Sequence, residues 1–198
     1  MNITPHLTAL QVIVPLLGAP LVALLRVKSL AWAAATSISV MAFVIAINLV
    51  GGVLNGENTP YLMGSWPAPY GIELSIDSFS AIILLIVTGA SSLALLGGRA
   101  SIDDEIEEQR QPLFYGAWLL ALAGLVGIVV TADAFNIFVF MEISSLASYV
   151  LIAGGPNRQA LPSVFKYLVM GTVGATFYLI GVGTVSYTHL TLPTIYSV

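Results

Sequence analysis

The sequence predicts an all-α, polytopic membrane protein of about six transmembrane helices with its N-terminus outside. Two compositional facts and one pattern carry that expectation. Of 198 residues, 58% are hydrophobic and 8% charged, against roughly a quarter charged in a soluble domain. Six basic and ten acidic residues cannot clothe a globule of this size, so lipid takes the place of water over most of the outside. The apolar residues also fall in continuous runs, several near the ~20 residues a helix needs to cross the hydrocarbon core. Continuous rather than alternating runs exclude a lipid-facing barrel, and helices satisfy their own backbone groups in lipid.

The spans read, in order, 7–25, 30–54, 79–96, 113–130, 134–153 and 164–185. The first carries Pro15, Gly18 and Pro20, which predict a kink or a break. No basic n-region precedes Leu7 and no small-residue cleavage site follows, so this run is expected to stay in the membrane. Between the second and third spans, 55–76 is rich in Gly and Pro and holds Tyr61, Trp66 and Tyr70, aromatic residues suited to the headgroup level. Asp77 and Asp133 stand just before the third and fifth spans and read as helix N-caps. The segment 99–112 holds Asp103, Asp104, Glu105, Glu107 and Glu108 and reads as a solvated charged face. In the sixth span Gly171, Gly174, Gly181 and Gly183 read as close helix packing rather than a cofactor loop. Tail residues 186–198, SYTHLTLPTIYSV, look like a translated sequencing adapter, so His189 and Pro193 are given no role.

Orientation follows from the basic residues. Arg26 and Lys28 come after the first span, Arg99 and Arg110 after the third, Arg158 and Lys166 after the fifth. All six lie on one side, which the positive-inside rule makes cytoplasmic. Other chemistries find no residues to carry them. Without cysteine there is neither a disulfide framework nor a thiolate metal site. His6 and His189 are remote from the acidic cluster, so no metal site is expected. No phosphate-binding glycine loop, nucleophile–base set or haem ligand pair occurs, and no cofactor is expected. The net charge of −4 arises mostly in one loop and implies no nucleic-acid partner.

Glu142 is the informative charge. It lies nine residues into the fifth span from Asp133, about 13 Å at 1.5 Å per residue. That is near the middle of a ~30 Å hydrocarbon core, where a carboxylate costs roughly 2.5–3.5 kcal/mol or more and marks an ion or proton pathway. Ser145 and Tyr149, at i+3 and i+7, share its face and make a short polar seam, with Phe135 and Phe138 outward of it. The competing reading is a hydrogen-bonded glutamic acid that only holds two helices together. Lys166 lies about one turn into the sixth span, where a long amine also snorkels to the interface. Helix-rise arithmetic sets it roughly 10 Å from the depth of Glu142, so no direct ion pair is expected.

The run Thr131-Ala-Asp-Ala-Phe-Asn-Ile-Phe-Val-Phe-Met-Glu-Ile-Ser-Ser-Leu-Ala-Ser-Tyr149 resembles the antiporter-like subunit family. That family includes the D subunit of Mrp-type cation/proton antiporters and the proton-pumping membrane subunits of respiratory complex I. Asp77-Ser-Phe-Ser80 and Phe165-Lys-Tyr-Leu-Val-Met-Gly-Thr-Val-Gly-Ala175 look like further matches, and the likeness spans 72–185. The wording of the fifth span is closer to Mrp D. The resemblance implies that Glu142 is the family's fifth-helix glutamate, whose protonation is coupled to ion movement, and that Lys166 is its lysine at the start of the sixth helix. It also implies that 1–185 is the N-terminal part of a longer domain built from inverted repeats. The expected function is proton translocation within a multisubunit monovalent cation/proton antiporter of a bacterial inner membrane. Its partners would be the other subunits, the lipid bilayer, protons, and Na+ or K+. A proton-pumping subunit of an NADH:quinone oxidoreductase is the alternative, with no redox centre in this chain. A membrane scaffold without transport is the third.

Overall fold

The computed structural model describes residues 6–56, 60–66, 71–155 and 160–195, except for the side chains of Ser65 and 189–195. Tyr70 and Arg158 therefore lie outside the described residues, as do the side chains of His189 and Pro193. Seven helices follow one another: α1 (Leu7–Ala23), α2 (Lys28–Leu54), α3 (Ser78–Gly97), α4 (Arg99–Glu105), α5 (Gln111–Val130), α6 (Ala134–Ala153) and α7 (Ala160–Ile195). A two-stranded antiparallel hairpin, β1 (Tyr61–Leu62) and β2 (Glu73–Leu74), stands between α2 and α3. Among the described residues five helices are long and apolar enough to cross a membrane, and α1 is a shorter apolar helix of 17 residues.

Two expectations about these helices are corrected. Of the kink or break expected in α1, the break is absent: the helix is continuous through Pro15 and Pro20, because the helices packed along it hold the shape that the missing N–H groups would loosen. The sixth span is longer than 164–185, since α7 continues to Ile195. Residues 186–192 contain neither Gly nor Pro, so nothing in them ends the helix.

The core is built around α5, which packs against α1, α2, α3 and α6. Small residues let the backbones approach. A Cβ on Gly116 would meet the Ala19 carbonyl at 2.9 Å, and one on Gly124 would meet the Ser144 nitrogen at 2.6 Å. Gly127 accommodates the Phe140 ring. A buried hydroxyl chain joins three helices: the Trp118 indole N–H donates to Ser91 Oγ at 2.9 Å, and Ser39 Oγ lies 2.9 Å from Ser91 Oγ and 3.3 Å from Ser92 Oγ. Lipid offers these groups no partner, so they pair with each other.

The two ends of the bundle differ in chemistry. At one, the segment read as a charged face contains the short helix α4, and Lys28 reaches Asp103 at 3.6 Å and Glu108 at 2.6 Å. Arg110 pairs with Glu107 at 3.1 Å, and the Arg99 guanidinium lies 4.2 Å from the centre of the Trp32 ring. At the other end, β2 extends to the α5–α6 link. Ser75 N–H donates to the Val130 carbonyl at 2.8 Å and Ala132 N–H to the Glu73 carbonyl at 3.0 Å. Tyr61 on β1 reaches His6, whose Nδ1 is 3.1 Å from its hydroxyl.

Candidate functional site

The helix that carries Glu142 is anchored at its hairpin end. The Asp133 carboxylate accepts from the N–H groups of Phe135 at 3.2 Å and Asn136 at 3.3 Å, filling two of the donors that a helix start leaves open. Asp77 does the same for α3, accepting from Ser80 N–H at 2.7 Å. That bond favours the charged carboxylate and holds Asp77 below its ordinary range. α6 then turns one face to α5 through Phe140 and Ser144 and another to α7.

The α7-facing stripe runs Phe138, Glu142, Ser145, Tyr149, at i, i+4, i+7 and i+11. Both its ends are fixed by aromatic contacts. Phe138 stacks on Tyr178 with centroids 6.5 Å apart and planes 10° from parallel, while the Tyr178 hydroxyl donates to the Ala134 carbonyl at 3.1 Å. Buried Tyr149 meets Tyr167 edge-on at 5.7 Å and donates to the Tyr167 carbonyl at 3.4 Å. Its hydroxyl sits against Gly171, where a side chain would collide with it. Half-buried Glu142 and Ser145 lie between these two pairs along α6.

The structure thus brings Glu142, Ser145 and Tyr149 onto one seam, but among the described residues no hydrogen bond or ion pair joins them. Lys166 is not on that seam. It is exposed, and at about 100° per residue it is turned roughly 140° away from Gly171. Its neighbours Met170 and Val173 are exposed with it. Of the four glycines read as packing residues only Gly171 makes a close approach. Gly174, Gly181 and Gly183 meet nothing within 4 Å, because α7 has one main neighbour, α6. Among the described residues no group of three or more His, Asp or Glu converges as a metal site would require. Tyr178 and Tyr167 were missed by sequence reasoning. Their signal was present, since Tyr167, Gly171, Ala175 and Tyr178 recur at helical spacing on one face.

No family model matches the chain. Among curated proteins it is 38% identical over 183 residues to the N subunit of the NADH-quinone oxidoreductase of Desulforudis audaxviator, covering 91% of this chain and 36% of that protein. It is 33% identical over 181 residues to the D subunit of the Na(+)/H(+) antiporter of Bacillus subtilis, covering 88% of this chain and 35% of the relative. Among solved structures, the archaeal membrane-bound sulfane sulfur reductase superposes with a TM-score of 0.81 at 31% identity, over 89% of this chain and 36% of the matched one. The Mrp complex from Dietzia superposes with a TM-score of 0.80 at 26% identity, over 91% and 34%. The chain spans about a third of the length of these relatives. Shared sequence along nine-tenths of the chain and a shared helix arrangement place it together with both kinds of protein: the chain belongs to the family of antiporter-like membrane subunits that includes the D subunit of Mrp antiporters and the N subunit of NADH-quinone oxidoreductases.

Proposed function

We propose that this chain is part of a proton-translocating, multi-pass inner-membrane subunit of a monovalent cation/proton antiporter, and that Glu142 is its proton carrier. The observation that carries the reading is Glu142 itself, a carboxyl about 13 Å into a capped transmembrane helix with no charged partner among the described residues. An ionisable residue within a transmembrane helix marks an ion or proton pathway by default. Lys166 contributes, on this reading, from a different depth and a different face of α7, by way of groups that lie against its exposed side. The test is antiport in the assembled complex. Glu142→Ala is expected to abolish it and Glu142→Asp to keep part of it; normal antiport from the Ala variant would overturn the proposal.

A second reading is favoured by the 38% identity to the N subunit of the oxidoreductase. In it the same helices and the same glutamate serve an NADH-quinone oxidoreductase. Partners distinguish the two, so copurification with a peripheral redox arm supports the second and copurification with other antiporter subunits supports the first.

A further inference from the structure

We infer that the Phe138–Tyr178 stack is the barrier that closes the Glu142 seam toward the hairpin end of the bundle, and that Tyr178 is the positioning residue that holds it shut. The inference rests on the reading of Glu142 as the proton carrier. Its ground is the placement of two aromatic pairs along one helix–helix seam. Phe138 lies one turn outward of Glu142 and Tyr149 two turns inward, and each meets a tyrosine of α7. Along this stretch of α7, Gly171 lies against the Tyr149 hydroxyl and Ala175 is buried. Small residues there leave room for the carboxyl side chain, and the aromatic pairs fill the seam above and below it.

Tyr178 is fixed from two directions. Its ring lies parallel to Phe138 in an offset stack and its hydroxyl donates to the Ala134 carbonyl at the first residue of α6. That carbonyl belongs to the turn capped by Asp133, itself tied to the hairpin through the Ala132–Glu73 bond. Rotating Tyr178 out of the seam therefore loses both an aromatic contact and a hydrogen bond. On this inference water from the hairpin end stops at the stack, inward of Phe135, which is 53% exposed.

Thiol accessibility tests this without measuring transport. The chain has no cysteine, so Phe135→Cys and Ser145→Cys each create a single thiol, outward and inward of the stack on the same face. Sealed membrane vesicles carrying the full chain are treated with a membrane-impermeant maleimide from the hairpin side. Phe135→Cys is expected to react and Ser145→Cys to be protected. Adding Tyr178→Ala to Ser145→Cys is expected to raise its rate roughly tenfold or more, while Tyr178→Phe, which keeps the stack, leaves it protected. Phe138→Ala removes the stack from the other helix and is expected to act like Tyr178→Ala, which covers a Tyr178→Ala chain that fails to insert. Fast reaction of Ser145→Cys in the otherwise unchanged chain overturns the inference, since nothing then shields the seam. Equal slow reaction with the stack intact and removed also overturns it, since membrane depth alone is then the barrier. Either result leaves the antiport test of Glu142 standing, so failure of the barrier and failure of the proton-carrier reading are told apart.

Discussion

α5 and α7 are both apolar helices of membrane-spanning length, yet 56% of the α5 span is buried inside the chain and 6% of the α7 span. α5 is the hub, enclosed by four helices and locked by glycines and hydroxyls. α7 is held on one side only, by two aromatic pairs against α6, and its other faces are open. Both patterns are stable in lipid, since apolar surface facing acyl chains carries no penalty comparable to that in water. The difference teaches that burial within this chain marks structure, while Glu142 lies half-buried on the helix that α7 packs against.

That contrast can be broken at its glycines, and there the largest stability effect is expected. Gly124→Ala drives a Cβ into the Ser144 and Phe140 backbone, and should cost about 1–3 kcal/mol in unfolding experiments in detergent. Gly181→Ala on α7 meets open space and should change stability by no more than ~0.5 kcal/mol. Equal effects would mean that the two helices are packed alike. Next comes the cap of the helix that carries Glu142. Asp133→Ala strands the Phe135 and Asn136 N–H groups, with an expected loss of about 0.5–2 kcal/mol, and Asp133→Asn should recover most of it.

The hydroxyl chain of the hub should respond less. Ser91→Ala removes the acceptor of the Trp118 N–H and a partner of Ser39. Double-mutant cycles between Ser91 and Trp118 should give a coupling near 0.6 kcal/mol, the usual size for such bonds in membranes. The smallest effect is a pH dependence at Asp77. Its folded carboxyl titrates below the ordinary value because Ser80 N–H stabilises the charge, so the cap is at full strength above about pH 4. It weakens as pH falls through the lowered folded value. An Asp77→Asn chain should lack this acid-dependent step in its melting profile.

Much of the site could be read from residues alone. Glu142 announces itself as a charge that lipid does not tolerate without a reason, and Asp133 as a carboxylate placed just ahead of an apolar run. The Lys166 side chain shows where such reading stops. Its depth follows from counting residues, but its facing depends on which side of α7 meets α6. Sequence reading singles out Gly174 as a packing residue and passes over Gly124, yet of the two only Gly124 is pressed against a neighbour. Tyr178 became visible as a partner of Phe138 only when the two stripes were brought together across 40 residues of chain.

By itself the sequence determined the class, most of the membrane-length helices, the helix starts at Asp77 and Asp133, and the place of a carboxyl near the middle of the fifth apolar run. These follow from composition, run length and the rise of a helix, which are local quantities. Tertiary structure alone decided that α5 is the hub, that the hairpin is tied to the α5–α6 link, and that Glu142 lies between two aromatic pairs while Lys166 faces elsewhere. The physical reason is that these helices are apolar on nearly every side. In water an amphipathic stripe would announce the buried face, but in lipid the choice of neighbour rests on the fit of small residues, rings and hydroxyls across helices.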